Sequence, residues 1–291
     1  MILTDRLVFL QLQKTAGTHI GRLLVEEFGG REKFGKHRPL PPGFDPGKRL
    51  IVGSIRDPWD WYVSLWTFGC RQRGGPFERS TAERSVWNAL RDPGTRRVSG
   101  ASAAIASRVR AARHEWSRPW RTWRRLHADP ADARLFREWL KLSLDSRRRF
   151  DLFRDFGQSA VSDYAGMLTF LYELLYLSDN SALFDRRLLP DLPALARHDE
   201  AHGILDATIR TENLEQDLLA VLQQAGYALT PRQVERIEKA EPTNTSGRRR
   251  ALADFYDAEA TELVAERDAL IIRKYGYRPT AGAGRGGPSL S

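Results

Sequence analysis

One short stretch of the chain, LQKTAGTHIGRLL at 12–24, contains the residue types of an anion-binding loop. Lys14 supplies a mobile cation, and the hydroxyls of Thr15 and Thr18 supply hydrogen-bond donors. Gly17 lets the backbone approach a phosphate closely. The order differs from a Walker A loop, because the lysine directly follows an apolar run and the glycine comes later. Alone, the stretch fits a strand-to-helix turn with a surface lysine equally well.

A second stretch with phosphate-binding residue types, RDPWDWYVS, follows at 56–64. Asp57 is a favourable helix N-cap and Pro58 suits the first helical position, so we predict a helix that begins there. Ser64 then lies about two turns into this helix, roughly 9 Å from its start. The side chain of Arg56 is long enough to reach alongside Ser64. The spacing therefore allows the two residues to bind one phosphate.

Together, KTAGT and RDPWDWYVS resemble the two nucleotide-binding motifs of the sulfotransferases that use 3′-phosphoadenosine-5′-phosphosulfate (PAPS). In that family K-T-x-G-T binds the 5′-phosphosulfate, and R-[DN]-P-x-x-x-x-x-S binds the 3′-phosphate. The resemblance implies a sulfotransferase that releases 3′-phosphoadenosine-5′-phosphate (PAP) and needs no metal. It implies contacts to the 5′-phosphosulfate from Lys14, Thr15, Ala16, Gly17, Thr18 and His19. It implies contacts to the 3′-phosphate from Arg56 and Ser64.

The resemblance has departures in the first motif and an extension near the C-terminus. His19 stands where the family usually has serine or threonine, and Ala16 often appears there as glycine. Gln11 and Gln13 replace the common histidine and proline before the lysine. The segment NTSGRRR at 244–250 resembles the family's loop over the 3′-phosphate end of the nucleotide. It implies contacts from Ser246 and Arg248, although a solvated basic loop explains the same residues equally well.

The reaction implied by the resemblance needs a general base and a cation. In an in-line displacement at sulfur, the acceptor loses a proton and the leaving phosphate gains charge. Lys14 fits the role of the cation. For the base we favour His37, which lies between the two motifs and whose ordinary pKa near 6.5 suits proton abstraction. Glu26 and Glu27 are the alternatives, because some carbohydrate sulfotransferases use a glutamate on or near the first helix.

Only the resemblance to the family indicates the class of acceptor. A hydroxyl or amine acceptor is expected, with a glycan, a lipid-linked sugar or a hydroxylated small molecule as the candidates. The arginine-rich segment at about 71–160 matches no part of the family pattern and is the candidate acceptor region.

The elements that must position these residues are readable from hydrophobic periodicity. An apolar run at 6–13 predicts a buried strand, and helical spacing from Ile20 to Phe28 predicts a helix that stops at Gly29. Further strands are predicted near 33–37, at 49–55 and within 202–214. Further helices are predicted after Asp57 and at 164–177, 215–227, 230–241 and 256–277.

This pattern predicts one α/β domain over 1–278. Strands followed by helices indicate a three-layer, P-loop-like fold with a mostly parallel central sheet between helices. The segment at about 71–160 is predicted to be a helical, arginine-rich insertion. The tail at 279–291 is rich in glycine, alanine, serine and proline, which predicts disorder.

Composition narrows the partner class without naming a partner. The chain has 46 Lys and Arg against 37 Asp and Glu, a net charge of +9, which favours an anionic ligand or surface. Cys70 is the single cysteine, which excludes an intramolecular disulfide and a cysteine-rich metal site. We find no signal peptide and no long apolar run, so we expect a cytoplasmic protein without a membrane span.

Two other classes of protein compete with the sulfotransferase. A nucleic-acid-binding protein would explain the arginines interleaved with Trp116, Trp120, Trp123 and Trp139, since aromatic rings stack on bases. Packing in the core explains tryptophans at helical spacing as well, and we expect no nucleic acid. A P-loop-type kinase would explain a phosphate loop, but the Walker A sequence and an evident Walker B carboxylate are missing.

Overall fold

Five β-strands form one mixed sheet in the computed structural model, which describes residues 1–85, 101–240 and 250–279. The strands are β1 (Ile2–Leu3), β2 (Leu7–Phe9), β3 (Arg31–Glu32), β4 (Leu50–Ile55) and β5 (Ala207–Arg210). Their order across the sheet is β3-β1-β2-β4-β5. The three longest strands, β2, β4 and β5, are parallel, whereas β1 runs antiparallel to both of its neighbours.

The helices of the described residues flank this sheet. Between β2 and β5 they are α1 (Gly17–Phe28), α2 (Pro58–Cys70), α3 (Gly75–Thr81), α4 (Ala101–Ser117), α5 (Trp120–Leu126), α6 (Ala133–Leu144), α7 (Arg154–Gln158), α8 (Met167–Tyr176) and α9 (Leu192–His202). After β5 come α10 (Leu214–Gln224), α11 (Pro231–Glu238), α12 (Ala258–Arg267) and α13 (Ala269–Tyr275). The chain is therefore an α/β protein, as predicted.

Two apolar clusters lie on opposite faces of the sheet. Along β2, Leu7 and Phe9 belong to one cluster and Val8 to the other, as the two-residue period of a strand requires. The first cluster also contains buried side chains of α1, α10 and α11. The second contains buried side chains of α2, α6, α8, α12 and α13. The result is a layer of helices on each side of the sheet.

The strongest local signals in the sequence are confirmed. The helix predicted from Ile20 ends at Phe28, and Gly29 caps it in the left-handed conformation, with φ of 65°. Asp57 caps α2 by accepting a hydrogen bond from the backbone N–H of Asp60. The strand predicted at 49–55 is β4, and the shorter β2 lies inside the predicted 6–13.

The strand predicted near 33–37 is wrong. β3 ends at Glu32, and Phe34, Gly35 and His37 all have φ between 57° and 77°. A strand requires negative φ, so this segment forms a turn.

The prediction of a single helix at 256–277 is also wrong, because the helix is interrupted at Asp268, between α12 and α13. Asp268 is fully buried, and its carboxylate accepts hydrogen bonds from the Tyr62 hydroxyl and from the backbone N–H and hydroxyl of Thr169. These partners lie on α2 and α8. The long-range contacts fix Asp268 at the junction between the two helices.

The described part of the arginine-rich segment consists mainly of helices, α3 to α7, joined by short loops, which agrees with the predicted helical character. Trp123 and Trp139 are buried in the core, and the Trp123 indole donates a hydrogen bond to the buried carboxylate of Asp151. Trp116, in contrast, is exposed. None of the helices in the described ranges has both the length and the apolar character needed to cross a bilayer.

Candidate functional site

The loop that carries Lys14 lies at the carboxyl end of β2, beside the carboxyl end of β4. The two strands are parallel, with Phe9 paired to Val52, so the residues that follow them reach the same edge of the sheet. Arg56 Nη1 donates a hydrogen bond to the Lys14 carbonyl oxygen over 3.1 Å. The fold therefore brings the two sequence motifs into direct contact.

The backbone of this loop has an unusual conformation. Lys14 and Ala16 have φ of 64° and 57°, values that residues other than glycine rarely adopt. Each such residue costs of order 1–3 kcal/mol, and such residues cluster at functional sites. Left-handed residues in a turn point successive N–H groups towards one side, which creates an anion-binding concavity.

The start of α1 adds to the positive potential of the loop. Ala16 is the N-cap residue and has no side-chain acceptor, so no side chain of the described residues caps the helix there. The His19 N–H donates to the Ala16 carbonyl. Among the described contacts, the N–H groups of Gly17 and Thr18 and the positive end of the helix dipole remain for an anion. A Cβ at Gly17 would make a tight contact of 3.2 Å with the Gln11 Cβ, so a larger residue would require Gln11 to shift.

Lys14 lies in a cluster of cations that the sequence did not predict. Its Nζ is 3.9 Å from the centroid of the Phe68 ring on α2. Burial, together with the smaller effect of the positive charges of Arg56, Arg71 and Arg73, lowers the pKa of Lys14 from 10.5 to about 8. An anion bound among these cations would relieve their repulsion. Arg71 and Arg73 follow the end of α2, and only the packing of α2 against the loop brings them near Lys14.

This pKa predicts how anion affinity depends on pH. We expect the affinity for sulfate, which does not titrate in this range, to fall about tenfold per pH unit above pH 8, because the anion requires the protonated ammonium. Below pH 8 the affinity should be constant down to neutral pH. Calorimetric titration with sulfate between pH 7 and 10 measures the change.

The matched control for this titration is Lys14→Arg, which keeps a positive charge throughout the range. It should bind sulfate with little dependence on pH. If the wild type and Lys14→Arg lose affinity in parallel, a group other than Lys14 controls anion binding.

The remaining side chains of the first motif divide between the interior and the surface. Thr15 is fully buried, and its hydroxyl donates to the Leu12 carbonyl and lies 2.7 Å from Ser54 Oγ. His19 is buried as well, and burial lowers its pKa. Thr18 is exposed in the first turn of α1. Lys14 and Thr18 are thus the side chains of this motif that can reach a ligand, and Thr15 supports the loop from within.

A tyrosine that no sequence motif indicated supports the loop from the protein interior. The hydroxyl of Tyr176, on α8, accepts from the Ser54 N–H over 2.9 Å and donates to the Ser54 carbonyl over 3.0 Å. Ser54 in turn contacts the hydroxyl of Thr15. Because these residues are far apart in the chain, no local pattern signals their contact.

Arg56 is oriented by the carboxylate of Asp60, in the first turn of α2. Its Nε and Nη2 donate to Asp60 Oδ2 over 2.8 and 2.6 Å. With the bond to Lys14, these use three of the five guanidinium N–H donors, so two are left for a ligand. Ser64 is buried two turns further along α2. The described contacts include no hydrogen bond between the side chains of Arg56 and Ser64.

His37 lies on the same side of the molecule as the loop. Its Nδ1 is 2.7 Å from the carbonyl oxygen of Gln11, three residues before Lys14. A carbonyl oxygen only accepts, so Nδ1 carries the hydrogen and Nε2 keeps its lone pair. Desolvation lowers the pKa of His37, the bond to Gln11 opposes that shift, and the charges of Lys36 and Lys14 lower the pKa further. A neutral imidazole with a free Nε2 is the form that a general base requires.

The two glutamates that compete with His37 lie at the other end of α1. Glu26 Oε2 is 3.0 Å from Arg236 Nη2, and Glu27 Oε1 is 3.4 Å from Arg236 Nε. Both residues are in the last turns of the helix, roughly 14 to 15 Å along its axis from Gly17. Of the three candidate bases, His37 therefore lies nearest the loop.

Ser246 and Arg248 lie outside the described residues. Two cavities elsewhere in the molecule, of about 540 and 820 Å³, border α11 and β5 respectively, and neither is lined by Lys14 or Arg56. The described residues hold no group of three or more metal-ligating side chains. The candidate site is therefore the open cationic edge formed by the loop, Arg56 and α2.

Comparison of the chain with protein-family models, with curated proteins and with solved structures gives no match.

Proposed function

We propose that this protein is a sulfotransferase that moves a sulfuryl group from PAPS to a hydroxyl or amine acceptor, with carbohydrates among the candidate acceptors. The observation that carries the proposal is the hydrogen bond from Arg56 to the Lys14 carbonyl. It joins the two motifs that resemble the PAPS-binding motifs into one cationic site. We further propose that the flanked, largely parallel sheet is the P-loop-like fold of that family.

In the proposed reaction PAPS supplies the activated sulfuryl group. The N–H groups of the loop and the Lys14 ammonium bind the 5′ end of the nucleotide. His37 Nε2 accepts the acceptor's proton as the acceptor oxygen or nitrogen bonds to sulfur. The bond from sulfur to the bridging oxygen breaks, and Lys14 stabilises the charge that develops on that oxygen. PAP leaves, and the proton remains on His37 until solvent removes it.

The role of Arg56 is tested by comparing two nucleotides that differ in the 3′-phosphate. We expect Arg56→Ala to weaken binding of PAP about ten- to a hundredfold, because a charge-assisted hydrogen bond contributes roughly 1.5–3 kcal/mol. Binding of adenosine 5′-phosphate, which lacks the 3′-phosphate, should stay unchanged. Isothermal titration calorimetry gives both affinities.

Arg49→Ala is the matched control, because Arg49 also donates to backbone carbonyls but lies at the opposite end of β4. It should bind both nucleotides as the wild type does. Equal losses for PAP and adenosine 5′-phosphate in Arg56→Ala would assign Arg56 to the 5′ end. A wild type that binds neither nucleotide would refute the proposed function itself.

The competing functions find less support in the described residues. Trp123 and Trp139 are buried and therefore have no free face for a nucleic-acid base. The loop also lacks the lysine position of a P-loop kinase. Retention on immobilised PAP separates these classes, because a sulfotransferase should be eluted by free PAP. A nucleic-acid-binding protein should be eluted by salt alone.

A further inference from the structure

Helix α4 exposes a row of apolar side chains. Ile105, Val109 and Trp116 are 62%, 49% and 71% exposed, values that are unusual for side chains of this size. At about 100° per residue, the three directions fall within about 40° of one another on the helix. They form a continuous stripe, which we call the α4 stripe, about 16 Å long.

Arginines border the α4 stripe on both sides. By the same helical geometry Arg108 lies about 60° to one side of Ile105, and Arg113 lies about 80° to the other. Both side chains are exposed. The apolar stripe is thus flanked along its length by positive charge.

The opposite side of α4 attaches the helix to the domain. His114, about 180° from Ile105, has its Nε2 2.5 Å from Oδ1 of the fully buried Asp151. Glu115, about 80° from Ile105 on the same side as Arg108, pairs with the buried Arg118 over 2.6 Å. These two contacts hold the helix and leave the stripe exposed.

The sequence around α4 is strongly basic. Residues 101–125 contain seven arginines and one acidic residue, Glu115, so the segment carries a charge of +6 out of the chain's +9. Because Glu115 is paired with Arg118, it does little to offset the field in front of the stripe.

We propose that α4 binds the surface of an anionic lipid bilayer, with the α4 stripe inserted at the level of the headgroups. Apolar residues that include tryptophan, bordered by arginines on a helix lying in the interface plane, are the pattern of an interfacial helix. Trp116 suits this depth, because its ring is apolar and its indole N–H is polar. The arginines would bind lipid phosphates beside the stripe.

An anionic bilayer explains both the apolar stripe and the arginines beside it. A nucleic acid or a protein partner explains only one of these two features. A nucleic acid would pair with Arg108 and Arg113 and could stack on Trp116, but it would leave Ile105 and Val109 without a partner. An apolar groove on a protein would cover the stripe but would have to bury the flanking charges. A bilayer with anionic headgroups offers apolar and negative contacts at adjacent depths.

The test uses the full chain and sedimentation with vesicles of phosphatidylcholine, with or without phosphatidylserine. We expect binding to the vesicles that contain phosphatidylserine, little binding to phosphatidylcholine alone, and weaker binding at high salt. Trp116→Ser and Ile105→Ser should each reduce the partition coefficient about tenfold, since each removes a large apolar side chain from the interface. The double variant Arg108→Gln, Arg113→Gln should abolish the preference for phosphatidylserine.

Leu188→Ser is the matched control, because Leu188 is 60% exposed but lies outside α4. It should bind vesicles as the wild type does. The proposal is wrong if the wild type binds neither vesicle, as a protein or nucleic-acid partner would predict. It is also wrong if only the arginine variants lose binding, because the stripe then stays outside the bilayer. Circular dichroism confirms that the variants, all at exposed positions, remain folded.

Discussion

Lys14→Met is expected to lower kcat for sulfuryl transfer about 10²–10³-fold, the usual effect of removing one preorganised group that stabilises developing charge. Methionine keeps an unbranched apolar side chain of nearly the same length, and it removes the ammonium that lies over the Phe68 ring. The rate is measured with PAPS and a panel of hydroxylated acceptors, with mass spectrometry to detect the added sulfuryl group.

The same substitution is expected to raise the stability of the ligand-free protein. The folded-state pKa of Lys14 lies below its ordinary value, so at neutral pH the fold bears an unfavourable buried cation beside Arg56, Arg71 and Arg73. The unfolded chain binds more protons than the folded one between about pH 8 and 10.5, so the wild-type free energy of unfolding should rise across that range. Lys14→Met should lack this rise and be the more stable protein at pH 7, as urea unfolding would show.

Lys48→Met is the matched control, because Lys48 is an exposed lysine at the opposite end of the sheet. It should change neither kcat nor stability. A Lys14→Met variant with full activity would remove this loop from the mechanism. A variant that loses activity and also unfolds more easily would indicate that Lys14 has a structural role.

The opposite effects expected on activity and stability agree with the strained backbone of the loop. Lys14 and Ala16 have left-handed conformations that an ordinary strand-to-helix turn would give to glycine. A local choice of residue that conflicts with the local backbone is typical of functional sites, where selection favours activity over stability.

The parts of the fold that the sequence predicted are those with local causes. Gly29 ends α1 because its own backbone takes the left-handed conformation, and Asp57 starts α2 through an N–H three residues away. The contact between the two motifs was predictable in outline, because parallel strands end at the same edge of a sheet. Hydrophobic periodicity predicts those strands without any knowledge of the rest of the molecule.

The features of the structure that the sequence did not predict depend on residues far away in the chain. The break at Asp268 depends on hydrogen bonds from Tyr62 and Thr169, and nothing near position 268 in the sequence indicates it. The inward direction of Thr15 likewise depends on Ser54 and Tyr176. A motif therefore indicated the candidate site, whereas packing decides which of its side chains are buried and which are exposed.

His37→Ala is expected to lower kcat about 10²–10⁴-fold, the usual effect of removing a general base. Affinity for PAP should remain that of the wild type, because the proposed role of His37 concerns the acceptor and not the nucleotide. The carbonyl of Gln11 holds the hydrogen on Nδ1, so Nε2 is the atom that takes the proton.

The pH profile separates this role from a structural one. A protonated imidazole cannot accept a proton, so the wild-type rate should fall as pH drops through the pKa of His37, which lies below its ordinary 6.5. The residual activity of His37→Ala should lack this acid limb. His198→Ala is the matched control, because His198 also binds a backbone carbonyl, that of Asp179, over 3.0 Å, away from the loop. His198→Ala should keep both the wild-type rate and the acid limb of its pH profile.

The glutamates on α1 provide the decisive comparison. Glu26→Gln and Glu27→Gln should keep most of the activity and the full acid limb, because both carboxylates pair with Arg236 at the far end of the helix. An active His37→Ala together with an inactive glutamine variant would move the base to α1. Because Arg236 is half exposed, Arg236→Ala frees both carboxylates without opening the core. If a glutamate were the base, that variant would alter the acid limb, whereas with His37 as the base the limb stays where it is.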